Sequence, residues 1–130
     1  MEKESLIDKL TRKRILVIDD DPLVLKTIRE FLNDKYDVVV ARSGAVAYRY
    51  LESNPIDLVL LDYEMPVANG PQVLSMLKSD EQTDQIPVMF LTGHGERESV
   101  MSVLGLKPAD YLLKTIDKKG LLKKLEAFFA

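Results

Sequence analysis

The chain has 130 residues, of which 46% are hydrophobic and 30% are charged, and its formal net charge is −3. This composition is typical of one globular domain with a buried core, and it argues against disorder and against strong attraction to nucleic acid or anionic membranes. Cysteine is absent, which excludes disulfides and thiolate metal sites. No apolar run approaches the ~20 residues of a membrane span, and no signal peptide is visible. We therefore expect a cytoplasmic protein.

Residues 1–13 are predicted to form an N-terminal extension or linker, followed by a single domain at residues 14–130. Leu6, Ile7 and Leu10 have the spacing of one helical face, but a helix this short is marginal without a surface to pack on. Chain ends are commonly loose, which favours a solvated extension. The alternative is the end of a connecting helix from an upstream module.

Strand-like and helix-like segments alternate through the rest of the chain. The predicted strands are residues 15–19, 36–40, 56–61, 88–91 and 110–113. The predicted helices start at Pro22, after the cap residue Ser43, at Pro71, at residue 96 (ending at 104) and near Asp117. The last helix has an apolar stripe that consists of Leu121, Leu122, Leu125 and Phe128. Five strands alternating with five helices predict an α/β fold with a parallel, doubly wound sheet.

The end of the third predicted strand is the centre of this pattern. Four consecutive apolar residues run directly into Asp62, as in a central strand that is covered on both faces. Three other strands end in polar residues in the same way: the first runs into Asp19 and Asp20, the fourth into Thr92 and the fifth into Lys114. Ligands bind beyond the carboxyl ends of parallel strands, so we expect these side chains to meet at one edge of the sheet.

The polar residues at this edge form a coherent chemical set. Carboxylates at close range raise each other's pKa or bind a cation. The oxygen-only cluster of Asp19, Asp20 and Asp62 favours a hard divalent ion, with Mg²⁺ preferred to Ca²⁺ or Zn²⁺. Such an ion attracts a phosphoryl group, and Asp62 is then placed to attack phosphorus as a carboxylate nucleophile. Thr92 can donate its hydroxyl to one phosphoryl oxygen, and Lys114 can pair with another.

Three further residues have both a structural and a functional interpretation. Asp21 precedes Pro22, so capping of the helix is favoured over metal binding. His94 is the single histidine and lies between glycines, where a solvated side chain is favoured over a phosphate-donor or ligand role. Tyr111 is either a packed edge aromatic or a rotamer switch coupled to Thr92, and both interpretations stay open.

Four motifs together resemble the receiver domain of bacterial two-component response regulators, over about residues 13–130. They are ILVIDDDP with the acidic pair, LVLLDYEMP with the phosphoacceptor Asp62, VMFLTG with Thr92, and DYLLK with Tyr111 and Lys114. Gly70, in the loop after the phosphoacceptor, also fits.

The resemblance implies a flavodoxin-like fold, with a five-stranded parallel sheet of order 2-1-3-4-5 and five surrounding helices. It also implies a Mg²⁺ ion held by Asp20, Asp62 and the backbone carbonyl of Glu64, with Asp19 acting through water. A sensor histidine kinase or phosphotransfer protein would then donate a phosphoryl group from phosphohistidine to Asp62. The chain would be a signalling domain and not an enzyme, although it would assist its own phosphotransfer and autodephosphorylation.

The same resemblance implies how such a domain signals. A phosphoryl group adds negative charge and acceptor oxygens, which Thr92 and Lys114 satisfy by moving inward. The face made of the predicted helix at residues 96–104, the fifth strand and the last helix then changes shape, and Tyr111 fills the vacated space. This face would signal to an output domain or a downstream effector protein. No contact with nucleic acid or membrane is expected of the domain itself, and a phosphorylation-dependent homodimer is compatible with this interpretation.

Two places near the expected site are distinctive. Thr115 follows Lys114 where the family usually has a proline in a cis peptide, and because a non-proline cis bond costs about 2.5–4 kcal/mol, a trans or a strained bond is expected there. Glu64 and His94 lie beside the phosphorylation site, at positions that in this family modulate access of the hydrolytic water. We predict that they set the lifetime of the phosphorylated state.

Three other functions compete with this interpretation. A phosphohydrolase that resembles the haloacid dehalogenases would need threonine or valine at Leu23 and usually a cap domain. A flavodoxin-type flavin carrier would need a first loop that wraps a phosphate, whereas the aspartates at 19–21 would repel one. A degenerate receiver that only docks is disfavoured because all five expected side chains are present. The output, the kinase and the oligomeric state are not visible in the sequence, and the chain is either free-standing or part of a longer protein.

Overall fold

A computed structural model describes residues 5–93 and 107–130 of the chain. Its five strands are Arg14–Ile18 (β1), Asp37–Ala41 (β2), Leu58–Asp62 (β3), Val88–Thr92 (β4) and Asp110–Leu113 (β5). They form one sheet of order β2-β1-β3-β4-β5, and every neighbouring pair is parallel. The predicted fold class and strand order are therefore confirmed.

The described helices are Leu6–Leu10 (α1), Pro22–Leu32 (α2), Gly44–Leu51 (α3), Gly70–Lys78 (α4) and Lys118–Phe129 (α5). Helices α2 to α5 contribute side chains to the cores beside the sheet. The fifth surrounding helix that the sequence predicts, at residues 96–104, lies outside the described residues. Within those residues, none of the helices combines the length and the apolar character that crossing a lipid bilayer requires.

Side chains of the central strands alternate between two separate cores. On one face, Leu16 and Ile18 of β1 belong to the core that includes buried residues of α3 and α4. On the other face, Ile15 and Val17 belong to the core that includes buried residues of α2 and α5. All five residues of β3 and of β4 are buried. The continuous apolar runs in the sequence thus reflect a sheet that is covered by helices on both sides.

Side-chain caps begin the helices next to the carboxyl edge of the sheet. Asp21 accepts a hydrogen bond from the Leu23 amide, and Ser43 accepts one from the Val46 amide, as the sequence predicts. Helix α4 begins one residue earlier than predicted, because Asn69 is its cap and forms a capping box with Gln72.

Gly70 permits a close approach between α4 and the end of β3. A Cβ atom added to Gly70 would lie 2.5 Å from the carbonyl oxygen of Asp62 and 2.8 Å from Cε1 of Phe90. The loop between β3 and α4 therefore packs against the backbone of Asp62 only because residue 70 has no side chain.

Two local predictions are wrong. Strand β3 begins at Leu58, two residues later than expected, and Ile56 is buried outside the strand. In α5, Phe128 is 37% exposed, whereas Phe129 packs on Tyr36 with ring centroids 5.8 Å apart. The second error has a geometric reason: at about 100° per residue, Phe129 lies on the side of Leu125 that faces Leu122, whereas Phe128 lies about 60° from Leu125 on the other side, away from the core.

The N-terminal segment contacts the domain through its polar residues. In α1, Leu6, Ile7 and Leu10 are 71%, 72% and 75% exposed. Arg12 then donates hydrogen bonds to the carbonyl oxygens of Asn33 and Asp34, just beyond the end of α2, at 3.1 and 2.8 Å. The assignment of residues 1–13 to an extension or linker stays a prediction.

Candidate functional site

Two aspartates at the carboxyl ends of adjacent strands form the centre of the site. Asp19 directly follows β1, Asp62 is the last residue of β3, and these strands pair in register from Ile15 to Ile18. The side chains of Asp19 and Asp62 are 0% and 1% exposed. Buried carboxylates require compensating partners, since burial penalises their charged form.

Lys114 supplies the positive charge for both aspartates. Its Nζ atom lies 2.8 Å from Oδ1 of Asp62 and 3.3 Å from Oδ2 of Asp19. The Lys114 amide also donates a hydrogen bond of 2.9 Å to the carbonyl oxygen of Thr92. This hydrogen bond continues the pairing of β4 and β5 by one residue. The Lys114 side chain then reaches across the end of β4 to the end of β3.

The pKa values of this group reflect burial and mutual interaction. The pKa of Asp62 is raised from 3.8 to about 6: burial is the largest cause and the charge of Asp19 adds to the rise, whereas Lys114 and the Glu64 amide oppose it. Burial alone would lower the pKa of Lys114, but its hydrogen bond to Asp62 and the charge of Asp19 outweigh burial and raise it. The cluster thus carries more negative charge than one lysine neutralises.

The donor atoms of the cluster suit a hard cation. One carboxylate oxygen from each of Asp19, Asp20 and Asp62 can be chosen so that all three lie within 4.8 Å of one another. The Oδ1 atoms of Asp19 and Asp62 accept hydrogen bonds from the Asp21 and Glu64 amides. Both Oδ2 atoms are buried: that of Asp19 forms the ion pair with Lys114 at 3.3 Å, whereas that of Asp62 accepts no hydrogen bond from a described residue. An all-oxygen set with free lone pairs is the kind that Mg²⁺ or Ca²⁺ prefers.

Thr92 lies on β4, which pairs with β3, and Tyr111 lies on β5, which pairs with β4. Thr92 is the last residue of β4, is 3% exposed and pairs in register with Leu113. Tyr111 is half-buried on β5, and its ring stacks on that of Phe90 at a centroid distance of 5.9 Å and an interplanar angle of 20°. The ends of β1, β3, β4 and β5 thus form one edge, as the sequence predicts.

The structure describes only one of the two residues that are expected to modulate the site. Glu64 is exposed, and its backbone follows Asp62 closely enough for its amide to bond the Asp62 carboxylate at 3.1 Å. His94 lies outside the described residues. The roles of both stay predictions.

Arg42 is a residue of the site that the sequence reasoning missed. It follows β2, the one strand whose end was not considered, and its guanidinium donates a hydrogen bond of 3.3 Å to the carbonyl oxygen of Asp20. The signal was available, because Arg42 is the polar residue directly after the apolar run of β2.

A doubly wound five-stranded sheet with an acidic pocket and a lysine at its carboxyl edge defines the class of CheY-like α/β proteins. Residues 15–126 match the family described as "Response regulator receiver domain". The chain belongs to this family and is a receiver domain of two-component signalling.

Similar proteins support the same assignment. The chain is 37% identical over 110 residues to a "Probable cyclic di-GMP phosphodiesterase" of Vibrio cholerae, covering 85% of this chain and 25% of that protein. It is 36% identical over 115 residues to "Transcriptional regulatory protein CpxR" of Escherichia coli, covering 88% of this chain and 48% of the relative. The chain thus spans half or less of the length of these two relatives.

The fold also matches solved structures. The chemotaxis response regulator CheY4 of Vibrio cholerae superimposes with a TM-score of 0.82, covering 90% of this chain and 98% of that one, at 24% identity. At this identity the match concerns the fold alone.

Proposed function

We propose that Asp62 accepts a phosphoryl group from a phosphohistidine on a sensor histidine kinase or a phosphotransfer protein. One observation carries this proposal: Oδ2 of Asp62 is buried at the shared edge and accepts no hydrogen bond from the described residues. The other oxygen of the same carboxylate is held by Lys114 and the Glu64 amide. A carboxylate fixed through one oxygen and free at the other is arranged for attack on phosphorus.

The proposed transfer is a displacement at phosphorus. A new bond forms between Oδ2 of Asp62 and phosphorus while the bond between phosphorus and the imidazole nitrogen breaks, and the nitrogen retains the electron pair. The carboxylate must be ionised for this attack, and Lys114 favours that state by pairing with Oδ1 at 2.8 Å. The hydroxyl of Thr92 and the ammonium of Lys114 would each contact one phosphoryl oxygen in the product.

Mg²⁺ is the proposed cofactor of this site. Asp19, Asp20, Asp62 and the backbone carbonyl of Glu64 would hold it, with Asp19 acting through water. When bound, the ion would neutralise the excess charge of the aspartates and stabilise charge on the phosphoryl oxygens. The fit rests on the donor atoms within 4.8 Å and on the buried Oδ2 of Asp62, which accepts no hydrogen bond from the described residues.

The proposed output is a change of shape near β5. Phosphorylation would draw Thr92 and Lys114 toward the new oxygens, and Tyr111, which stacks on Phe90, would change rotamer. The face would include β5, α5 and the predicted helix at residues 96–104, of which the last lies outside the described residues. Amide-exchange protection of residues 92–114 should therefore change on phosphorylation, and identical protection with and without a phosphate mimic would contradict the switch.

Receiver domains work with histidine kinases and with output domains, and we propose that this chain has partners of both kinds. An output domain of the same protein or a separate effector would read the switched face. We also infer that the chain is a signalling domain whose only covalent chemistry is its own phosphotransfer and autodephosphorylation. Turnover of an external phosphomonoester would instead favour a hydrolase.

The proposal can be tested with a small-molecule phosphodonor. The 130-residue chain is incubated with acetyl phosphate and Mg²⁺, and intact mass is measured. One added phosphoryl group is expected, which should be absent without Mg²⁺ and in Asp62→Asn. Asp34→Asn, which removes an exposed carboxylate elsewhere, is the matched control and should be phosphorylated normally. No phosphorylation of the unaltered chain would contradict the proposal and favour a domain that only docks.

A further inference from the structure

A cavity of about 140 Å³ lies beside the acidic pocket. Residues 42–45, residues 65–68 and Asp20 line it. Residues 42–45 connect β2 to the first turn of α3, and residues 65–68 belong to the loop between β3 and α4. For comparison, an apolar cavity of about 150 Å³ in another protein admits benzene. The cavity is therefore large enough for one six-membered ring.

The wall of this cavity is mostly apolar on the side of the loop. Met65, Pro66, Val67 and Ala68 form that side, and the side chain of Val67 is 94% exposed. A valine this exposed beside an open cavity gains from any apolar ligand that covers it. The loop side of the cavity thus favours a ring without polar substituents.

The rest of the cavity lining includes one cation, Arg42, and one carboxylate, Asp20. Arg42 uses one donor, to the carbonyl oxygen of Asp20, and makes no ion pair with any residue in the ranges 5–93 and 107–130. A guanidinium has five N–H donors in a planar arrangement that matches a carboxylate. Gly44 and Ala45, in the first turn of α3, also line the cavity, and this helix start adds partial positive charge.

We propose that this cavity binds a small monocyclic carboxylic acid. The ring lies against Met65, Pro66 and Ala68, and the carboxylate pairs with Arg42. The combination of ring-sized volume, an apolar wall and a guanidinium that forms no ion pair with the described residues identifies the ligand class. A neutral ring would leave the guanidinium without an anion, and a small acid without a ring would leave the apolar wall in water.

Asp20 connects this cavity to the acidic pocket. Its carboxylate belongs to the proposed metal cluster, and the same residue lines the cavity. A carboxylate ligand is repelled by the aspartates when no cation is present, so Mg²⁺ should tighten its binding, and the ligand should tighten Mg²⁺ binding by the same factor. This coupling rests on the proposed function, whereas ligand binding by itself does not.

The test is a titration of the 130-residue chain with benzoate, followed by amide NMR shifts without metal or phosphodonor. Saturable shifts are expected at Gly44, Ala45 and Val67, whereas acetate at equal concentration should give none. Arg42→Gln should weaken benzoate binding about tenfold and leave neutral benzamide unaffected. Arg49→Gln, at an exposed arginine on the last turn of α3, is the matched control and should bind benzoate normally.

A second variant tests the volume of the cavity. Ala45 is exposed at the start of α3, so Ala45→Leu should fold normally, fill the cavity and remove binding of both benzoate and benzamide. Benzoate shifts that do not saturate, or equal affinities of Arg42→Gln and Arg49→Gln, would overturn the proposal. Unchanged binding by a folded Ala45→Leu would overturn it as well.

The coupling to Mg²⁺ is measured separately. Benzoate should bind about fivefold more tightly at saturating Mg²⁺. Equal affinity with and without Mg²⁺, in a chain that binds Mg²⁺, would overturn the coupling. Because benzoate is first titrated without metal, failure of phosphorylation at Asp62 and failure of the cavity to bind benzoate are distinct results.

Discussion

Replacing Asp62 by asparagine is expected to stabilise the metal-free protein at neutral pH. The pKa of Asp62 rises from 3.8 to about 6, with burial as the largest cause. A folded-state pKa above the unfolded value means that the folded protein binds the proton more tightly. The stability that this carboxyl contributes is therefore fully present below pH 3.8 and is lost as the pH rises through about 6.

The size of the effect follows from the pKa shift. A shift of about two units corresponds to roughly 3 kcal/mol of unfolding free energy lost at pH 7.5. Asparagine has nearly the shape of the protonated acid but carries no charge, so it avoids this loss. Lys114 retains Asp19 as an ionic partner at 3.3 Å. We expect Asp62→Asn to raise the melting temperature at pH 7.5 by up to roughly 10 °C.

The assay compares urea and thermal unfolding of both proteins in EDTA at pH 7.5 and pH 4. The variant should exceed the parent in free energy of unfolding by a large amount at pH 7.5 and by a small amount at pH 4. At pH 4 most of the Asp62 carboxyl in the folded parent is protonated. Asp34→Asn is the control for loss of an exposed carboxylate and should show little change. A variant that is less stable than the parent at pH 7.5, or an advantage that is the same at both pH values, would refute the reasoning.

Three further predictions concern the metal, the loop and the lifetime of the phosphorylated state. Mg²⁺ at 100 times its Kd should stabilise the parent by about 2.7 kcal/mol in thermal unfolding, and a similar gain in Asp62→Asn would exclude this carboxylate as a ligand. Gly70→Ala should cost about 1–3 kcal/mol in urea unfolding, because its Cβ would lie 2.5 Å from the Asp62 carbonyl. Gly93→Ala is the matched control, since its Cβ would meet nothing within 4 Å, and equal losses would contradict the packing argument. Glu64→Ala and His94→Ala should each change the dephosphorylation rate after removal of the phosphodonor, and unchanged rates would eliminate their proposed role.

Local patterns in the sequence predict much of the fold. Unbroken apolar runs identify β3 and β4 because both faces of these strands are covered by helices. Asp21, Ser43 and Asp117 identify helix starts because a cap bonds an amide only two or three residues further along the chain. Each of these signals depends on neighbours in the chain, so the sequence is sufficient to find it.

The positions of long-range contacts could not be predicted in the same way. The sequence indicates that Asp19, Asp62 and Lys114 share an edge, but the register of three strand pairs determines that Lys114 lies 2.8 Å from one carboxylate and 3.3 Å from the other. The exposure of Phe128 and the contact of Arg42 with Asp20 likewise depend on elements distant in the chain.

The sequence alone determined which chemical groups this protein brings to one edge. Parallel strands place their carboxyl ends at the same edge of the sheet, so the polar residue after each apolar run must lie there. Only the tertiary structure decided which carboxylate oxygens are held and which accept no hydrogen bond from the described residues. That distinction depends on backbone amides and a lysine placed within a few ångströms by packing, and periodicity along the chain contains no such information.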